Sequence, residues 1–120
     1  MADTLRVWSY SRCSTCRKAL TWLDQQGVAY EVVDITEDPP SRDLLADAAS
    51  FFGKRAPLFN TSGLSYRALG SAVVKAMTDD QALDALAADG KLIKRPFVAL
   101  PSGQFLVGFK QDQWEEVFHR

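Results

Sequence analysis

The sequence lacks most of what would mark a specialised class. It has one histidine and two cysteines, too few for the four ligands that a structural zinc site usually takes. No stretch approaches the roughly 18 apolar residues of a membrane span. Met1 to Arg6 shows no basic segment running into an apolar one, so no signal peptide is expected, and the protein is expected to be cytoplasmic. An excess of one charge is also missing: 14 Lys and Arg stand against 15 Asp and Glu, a net charge of −1. That leaves no overall electrostatic case for direct binding to nucleic acid or an anionic membrane. No glycine-rich phosphate loop occurs, because Gly103 and Gly108 read as hairpin punctuation. Repeats, low-complexity tracts and linkers are absent too.

What remains is an ordinary globular composition. The chain has 120 residues, 47% of them hydrophobic. One domain over residues 1–120 is expected, long enough to bury a core without staples. Thr4 to Ser9 reads as a strand, with Leu5, Val7 and Trp8 as its apolar content. From about Cys16 the pattern turns helical through Ala19, Leu20 and Leu23, with Gly27 as a stop. Val28 to Ile35 follows as a second strand, and a right-handed crossover would make the two strands parallel. Ser41 is placed to cap a helix burying Leu44, Leu45, Ala48 and Phe52, ended by Gly53. After a turn at Asn60 to Gly63, a short helical stretch runs through Leu69. Thr78 and Gln81 have capping-box spacing ahead of a helix that Gly90 would terminate. Phe97 to Leu100 and Gln104 to Val107 read as an antiparallel hairpin across Pro101 to Gly103. Asp112 and Glu115 repeat the capping-box spacing before a last helix that faces Trp114, Val117 and Phe118 inward.

The chemistry concentrates in Cys13-Ser14-Thr15-Cys16, between the first strand and the first helix. A thiolate just ahead of a helix meets unpaired backbone N–H groups and the positive end of the dipole, which favour the ionised form. Arg12 and Arg17 add positive charge nearby. Cys16 lies one turn further on, where it could resolve a mixed disulfide on Cys13. Two other readings compete: a zinc site, for which His119 is too distant and ligands too few, and two incidental buried cysteines. The strand-to-helix placement favours redox chemistry.

The run Tyr10-Ser-Arg-Cys-Ser-Thr-Cys-Arg-Lys-Ala-Leu20 resembles the active-site turn of the arsenate-reductase-like (ArsC) family, which also contains the Spx and MgsR redox regulators. Leu58-Phe-Asn-Thr-Ser-Gly-Leu-Ser-Tyr-Arg-Ala-Leu-Gly70 is similar to the middle segment of many members. Asp89-Gly-Lys-Leu-Ile-Lys-Arg-Pro96 followed by Phe97-Val-Ala-Leu is similar to the family's arginine–proline signature. Val107-Gly-Phe with Trp114 completes a match spanning essentially the whole chain.

The resemblance implies an α/β fold: a thioredoxin-like, glutaredoxin-type mixed four-stranded sheet with a helical insertion. It implies Cys13 as nucleophile of a reductase acting on a disulfide or an oxyanion such as arsenate, and Cys16 as a resolving or sensing thiol. No bound cofactor is implied; glutathione would be a co-substrate and glutaredoxin a partner. Arg95 matches one of three arginines that hold the oxyanion in the family's arsenate reductases. Asn60-Thr61 and Lys110 stand in the regions of the other two. The resemblance also implies that Pro96 is structural; a cis bond there would bring backbone close to the cysteine loop, but X–Pro bonds are mostly trans and the sequence leaves the isomer open. The two-cysteine arrangement resembles Spx-type proteins as well, whose motif is a disulfide switch and which bind RNA polymerase. Arg17, Arg12 and Arg95 are therefore the anion-binding candidates, with Arg17 and Lys18 alternatively a solvated helix face. His119 suits a helix C-terminus better than catalysis. Trp8, Trp22 and Trp114 read as packing.

Overall fold

The computed structural model describes residues 4–119, and Met1 to Asp3 and Arg120 lie outside the described residues. The elements follow in the order β1 (Leu5–Ser9), α1 (Ser14–Gln25), β2 (Tyr30–Asp34), α2 (Arg42–Phe52), α3 (Leu64–Leu69), α4 (Ser71–Ala76), α5 (Asp79–Ala88), β3 (Phe97–Ala99), β4 (Phe105–Val107) and α6 (Gln111–Phe118). Short 3-10 turns at Ala56–Leu58 and Gly90–Leu92 complete the order. The strands form one four-stranded sheet in the order β2-β1-β3-β4. This is the mixed α/β sheet of a thioredoxin-like fold, with the helices α2 to α5 inserted in the chain between β2 and β3.

Two compact units divide the chain. The first holds the described residues up to Val33 and those from Arg95 onward. Within it β3 pairs antiparallel with β1, Trp8 opposite Phe97, and with β4, Phe97 opposite Val107. The hairpin between β3 and β4 turns through Pro101 to Gly103, and Gly103 adopts φ +93°, which suits a residue without a Cβ. Alternation along β1 buries Leu5 and Val7 and exposes Arg6. Leu5 and Val7 join Ala19, Trp22 and Leu23 of α1, Val98, Leu106 and Trp114 in one core. Trp22 and Trp114 meet edge to face at 6.1 Å. The packing role expected of the three tryptophans is what the structure shows, each being at least 95% buried.

The second unit is Asp34–Lys94. Ser41 caps α2 by accepting the Leu44 N–H at 3.1 Å, and Gly53 closes it in the left-handed conformation. On α2, Leu45 and Ala48 are fully buried, whereas Leu44 and Phe52 are only half-buried. Thr78 and Gln81 form the full capping box of α5. Arg42 on α2 reaches Asp80 at 3.0 Å and Asp84 at 2.6 Å on α5. These pairs are exposed and fix orientation more than they add stability.

Three local expectations change. Helix α1 begins at Ser14, two residues earlier than the apolar spacing suggests, because Cys13 itself is the cap. The Asp112–Glu115 capping box does not form: α6 starts at Gln111 after Lys110, so Asp112 is already inside the first turn and cannot cap it. Glu115 instead accepts a hydrogen bond from Gln111 Nε2 at 3.2 Å. Gly90 is also not the terminator of α5, which ends at Ala88 with Asp89 as its cap. Its requirement is steric. A Cβ at Gly90 would overlap the carbonyl of Ile35. Gly90→Ala therefore forces a backbone shift and is expected to destabilise the protein by about 1–3 kcal/mol. Urea unfolding measures this, and a loss below about 0.5 kcal/mol would mean the two segments separate freely.

Candidate active site

The site is built where β1 ends and α1 begins. The Cys13 N–H donates to the Tyr10 carbonyl at 2.9 Å, closing a turn. Cys13 then takes extended angles, φ −92° and ψ 113°, as an N-cap must. Its carbonyl accepts the first helical hydrogen bond, from the Arg17 N–H at 3.1 Å. Its Sγ accepts from the Cys16 N–H at 3.3 Å. A sulfur thus stands where a serine or aspartate oxygen usually caps a helix, facing the N–H groups and positive end of α1.

Sheet register brings the arginine. Trp8 of β1 faces Phe97 of β3 in an antiparallel pair. The pairing ends there, and the chain just beyond it on the two sides carries Tyr10 and Arg95. The Arg95 guanidinium lies over the Tyr10 ring, 5.1 Å from its centroid, a cation–π contact that restrains it beside the cysteine turn. The Arg95–Pro96 peptide is cis. Pro96 is buried, and its carbonyl accepts the Gly108 N–H at 2.9 Å.

The two thiols differ. At Cys13 partial burial pushes the pKa up, but the side chain and backbone N–H of Cys16, then the charge and hydrogen bond of Arg95, outweigh it and hold the thiol below its ordinary value. At Cys16 burial pushes the pKa up first and the neighbouring Cys13 adds to it, while the Tyr10 backbone and Ser9 hydroxyl oppose; the result is about 11. Cys16 is fully buried and Cys13 is partly accessible, and both are free thiols. Of the two, the outer sulfur is the more readily ionised.

Of the residues singled out from the sequence, the structure gathers Cys13, Cys16, Arg95 and Pro96. Arg17 points its Nη1 at the Ser11 carbonyl, 2.7 Å away, and Arg12 is exposed. His119 stacks on Trp22 at 5.9 Å in the cap of α6. Tyr10 and Ser9 gain roles that spacing did not suggest: a ring beneath Arg95 and a buried hydroxyl at Cys16. Only the β1–β3 register could have pointed to the first. Among the described residues no group of three or more His, Cys, Asp or Glu could hold a metal ion. Nor is any helix among them long and apolar enough to cross a membrane.

The chain is similar to several known proteins. The uncharacterized protein YusI of Bacillus subtilis (strain 168) is 40% identical over 115 residues, covering 94% of this chain and 97% of its own. An Escherichia coli arsenate reductase is 32% identical over 102 residues, 84% of this chain and 72% of its own. Among solved structures, a possible arsenate reductase from Streptococcus mutans UA159 superposes with a TM-score of 0.87 at 35% identity, over 98% of this chain and 100% of that one. The model of the ArsC family matches residues 8–117, and the chain belongs to that family.

Proposed function

We propose that the protein is a thiol oxidoreductase with Cys13 as nucleophile, coupled to glutathione and glutaredoxin. The observation that carries this is the Cys13 sulfur serving as the cap of α1 beside Arg95, with its thiol held below the ordinary pKa. Membership of a family that includes arsenate reductases supports thiol redox chemistry.

In the reaction, the Cys13 thiolate attacks one sulfur of a disulfide R–S–S–R. A Cys13–S–S–R bond forms as the other sulfur leaves with the electron pair of the broken bond and takes a proton from water. A glutathione thiolate then attacks the R sulfur, releasing Cys13 as thiolate and a mixed disulfide of R with glutathione. Glutaredoxin would reduce that product. A thiol raised to about 11 carries little thiolate at neutral pH, so Cys16 is the slower resolving group. Arg95 and the α1 N–H groups orient an anionic substrate. If arsenate is the substrate, an S–As bond forms as water departs. Attack of glutathione on the Cys13 sulfur then leaves the S–As electron pair on arsenic, giving arsenite and a Cys13–glutathione disulfide.

Two measurements on the same preparation test this. Alkylation of Cys13 by neutral iodoacetamide, followed against pH, should show a midpoint below the ordinary thiol value, falling about tenfold per pH unit beneath it. Arg95→Gln should move that midpoint up. Wild-type protein with glutathione, glutaredoxin and a small disulfide should consume NADPH through glutathione reductase faster than the same mixture without it. A midpoint at or above the ordinary value, together with no added turnover on disulfide or arsenate, overturns the reading.

A further inference from the structure

Arg95 gives the Cys13 sulfur both a hydrogen bond and its charge. A long, flexible side chain needs a restraint to stay in that position. The usual restraint on an arginine is a carboxylate, which would also cancel the charge. No carboxylate pairs with Arg95 among the described residues: the ion pairs there belong to Arg42 and Arg55, both in the second unit. Arg95 rests on the Tyr10 ring instead, its Cζ 5.1 Å from the centroid. A ring face attracts a cation through its quadrupole and carries no net charge. Arg95 is therefore held in place and stays a full cation, with N–H donors that no carboxylate occupies.

The backbone of Tyr10 is committed separately. Its carbonyl accepts the Cys13 N–H at 2.9 Å, and its backbone also bonds the Cys16 sulfur. Both contacts survive a change of side chain, so the part played by the ring can be isolated. Tyr10 and Arg95 are each half-buried, which leaves the cation reachable by a ligand that approaches Cys13.

We propose that Tyr10 is a positioning residue: its ring holds Arg95 beside Cys13 without cancelling the charge, and the site thereby selects disulfides that carry an anionic group next to the reacting sulfurs. This rests on the thiol-oxidoreductase reading above and narrows its substrate class. A thiolate and an anionic disulfide repel each other as they meet. A cation with no carboxylate partner, placed between them, offsets that repulsion. As Cys13 attacks, the electron pair of the broken bond goes to the leaving sulfur, and Arg95 stays beside the anionic group throughout.

Two measurements on the reduced protein separate the ring from the fold. One is the pH midpoint of Cys13 alkylation. The other is the ratio of second-order rates with dithiobis-nitrobenzoate, an anionic disulfide, and dithiodipyridine, a neutral one. The thiolate fraction cancels in that ratio, which reports anion selection alone. Tyr10→Leu should lower the ratio at least about threefold and raise the midpoint. Tyr10→Phe, which keeps the ring, should restore both. In Arg95→Gln protein, Tyr10→Leu should change neither, because its effect passes through the guanidinium. Tyr10→Gln is also ringless, carries the same expectation, and serves if a thermal melt shows that the leucine variant does not fold. A ratio equal to wild type without the ring, a Tyr10→Phe variant as impaired as Tyr10→Leu, or an undiminished loss in Arg95→Gln protein each overturns the role of Tyr10. A wild-type midpoint at the ordinary thiol value with no turnover refutes the oxidoreductase reading. Turnover by wild type with an unmoved ratio in the ringless variants refutes Tyr10 alone.

Discussion

Cys13→Ser is expected to lower the disulfide-reducing rate by at least about a thousandfold while leaving the fold intact. Serine is among the best helix caps, so its hydroxyl can take the place of the sulfur in accepting the Cys16 N–H. What it cannot do is ionise near neutral pH or attack sulfur as a thiolate does. The measurement is the coupled turnover assay beside a thermal melt of the same variant. Retained activity within about tenfold would remove Cys13 from the reaction. Cys16→Ser is the contrasting case. Its thiol is buried and raised to about 11, so turnover supported by glutathione should fall only severalfold.

Trp114→Ala should be the most damaging change outside the cysteine turn, costing about 3–5 kcal/mol. The indole is fully buried. It stands edge to face against Phe109 at 4.9 Å and Trp22 at 6.1 Å, with Phe118 also at 6.1 Å. Its Nε1–H donates to the Gly108 carbonyl at 3.2 Å, so truncation removes the packing of α6 and leaves that acceptor unpaired. Trp114→Phe should recover most of the apolar loss and not the hydrogen bond. Guanidinium unfolding followed by circular dichroism reads both variants. A loss below about 1 kcal/mol for alanine would show that the neighbouring rings close the space.

What could be read from the sequence was local. The Thr78–Gln81 capping box, the Gly53 stop and the β3–β4 hairpin are written in a few adjacent residues, and each forms. The same signal misleads at Asp112–Glu115, because spacing does not reveal which residue is the cap, and Lys110 is. Helix α4 left no signal: Ser71–Ala76 is short and buries Val74 alone. At the site, Cys13 was legible from its place between strand and helix, and Arg95 from its resemblance to a family signature. That Tyr10 carries Arg95 was not, because it depends on the pairing of strands far apart in the chain. Arg17 looked like a thiolate neighbour by number alone, but its side chain turns to the Ser11 carbonyl.

The sulfur that caps α1 is also the attacking atom of the proposed reaction, so the acid–base behaviour of the pair enters the stability of the reduced protein. Cys13 has a folded pKa below its unfolded one. Its contribution is complete above the unfolded thiol value and is lost as pH falls through the folded value. Cys16, raised to about 11, has the opposite sign. Its contribution is complete below the unfolded thiol value and is lost as pH rises through about 11. The two profiles meet near the pKa of an ordinary thiol, and there the motif gives the reduced chain its greatest resistance to unfolding. Acidification therefore loosens the start of α1 by the same protonation that silences Cys13.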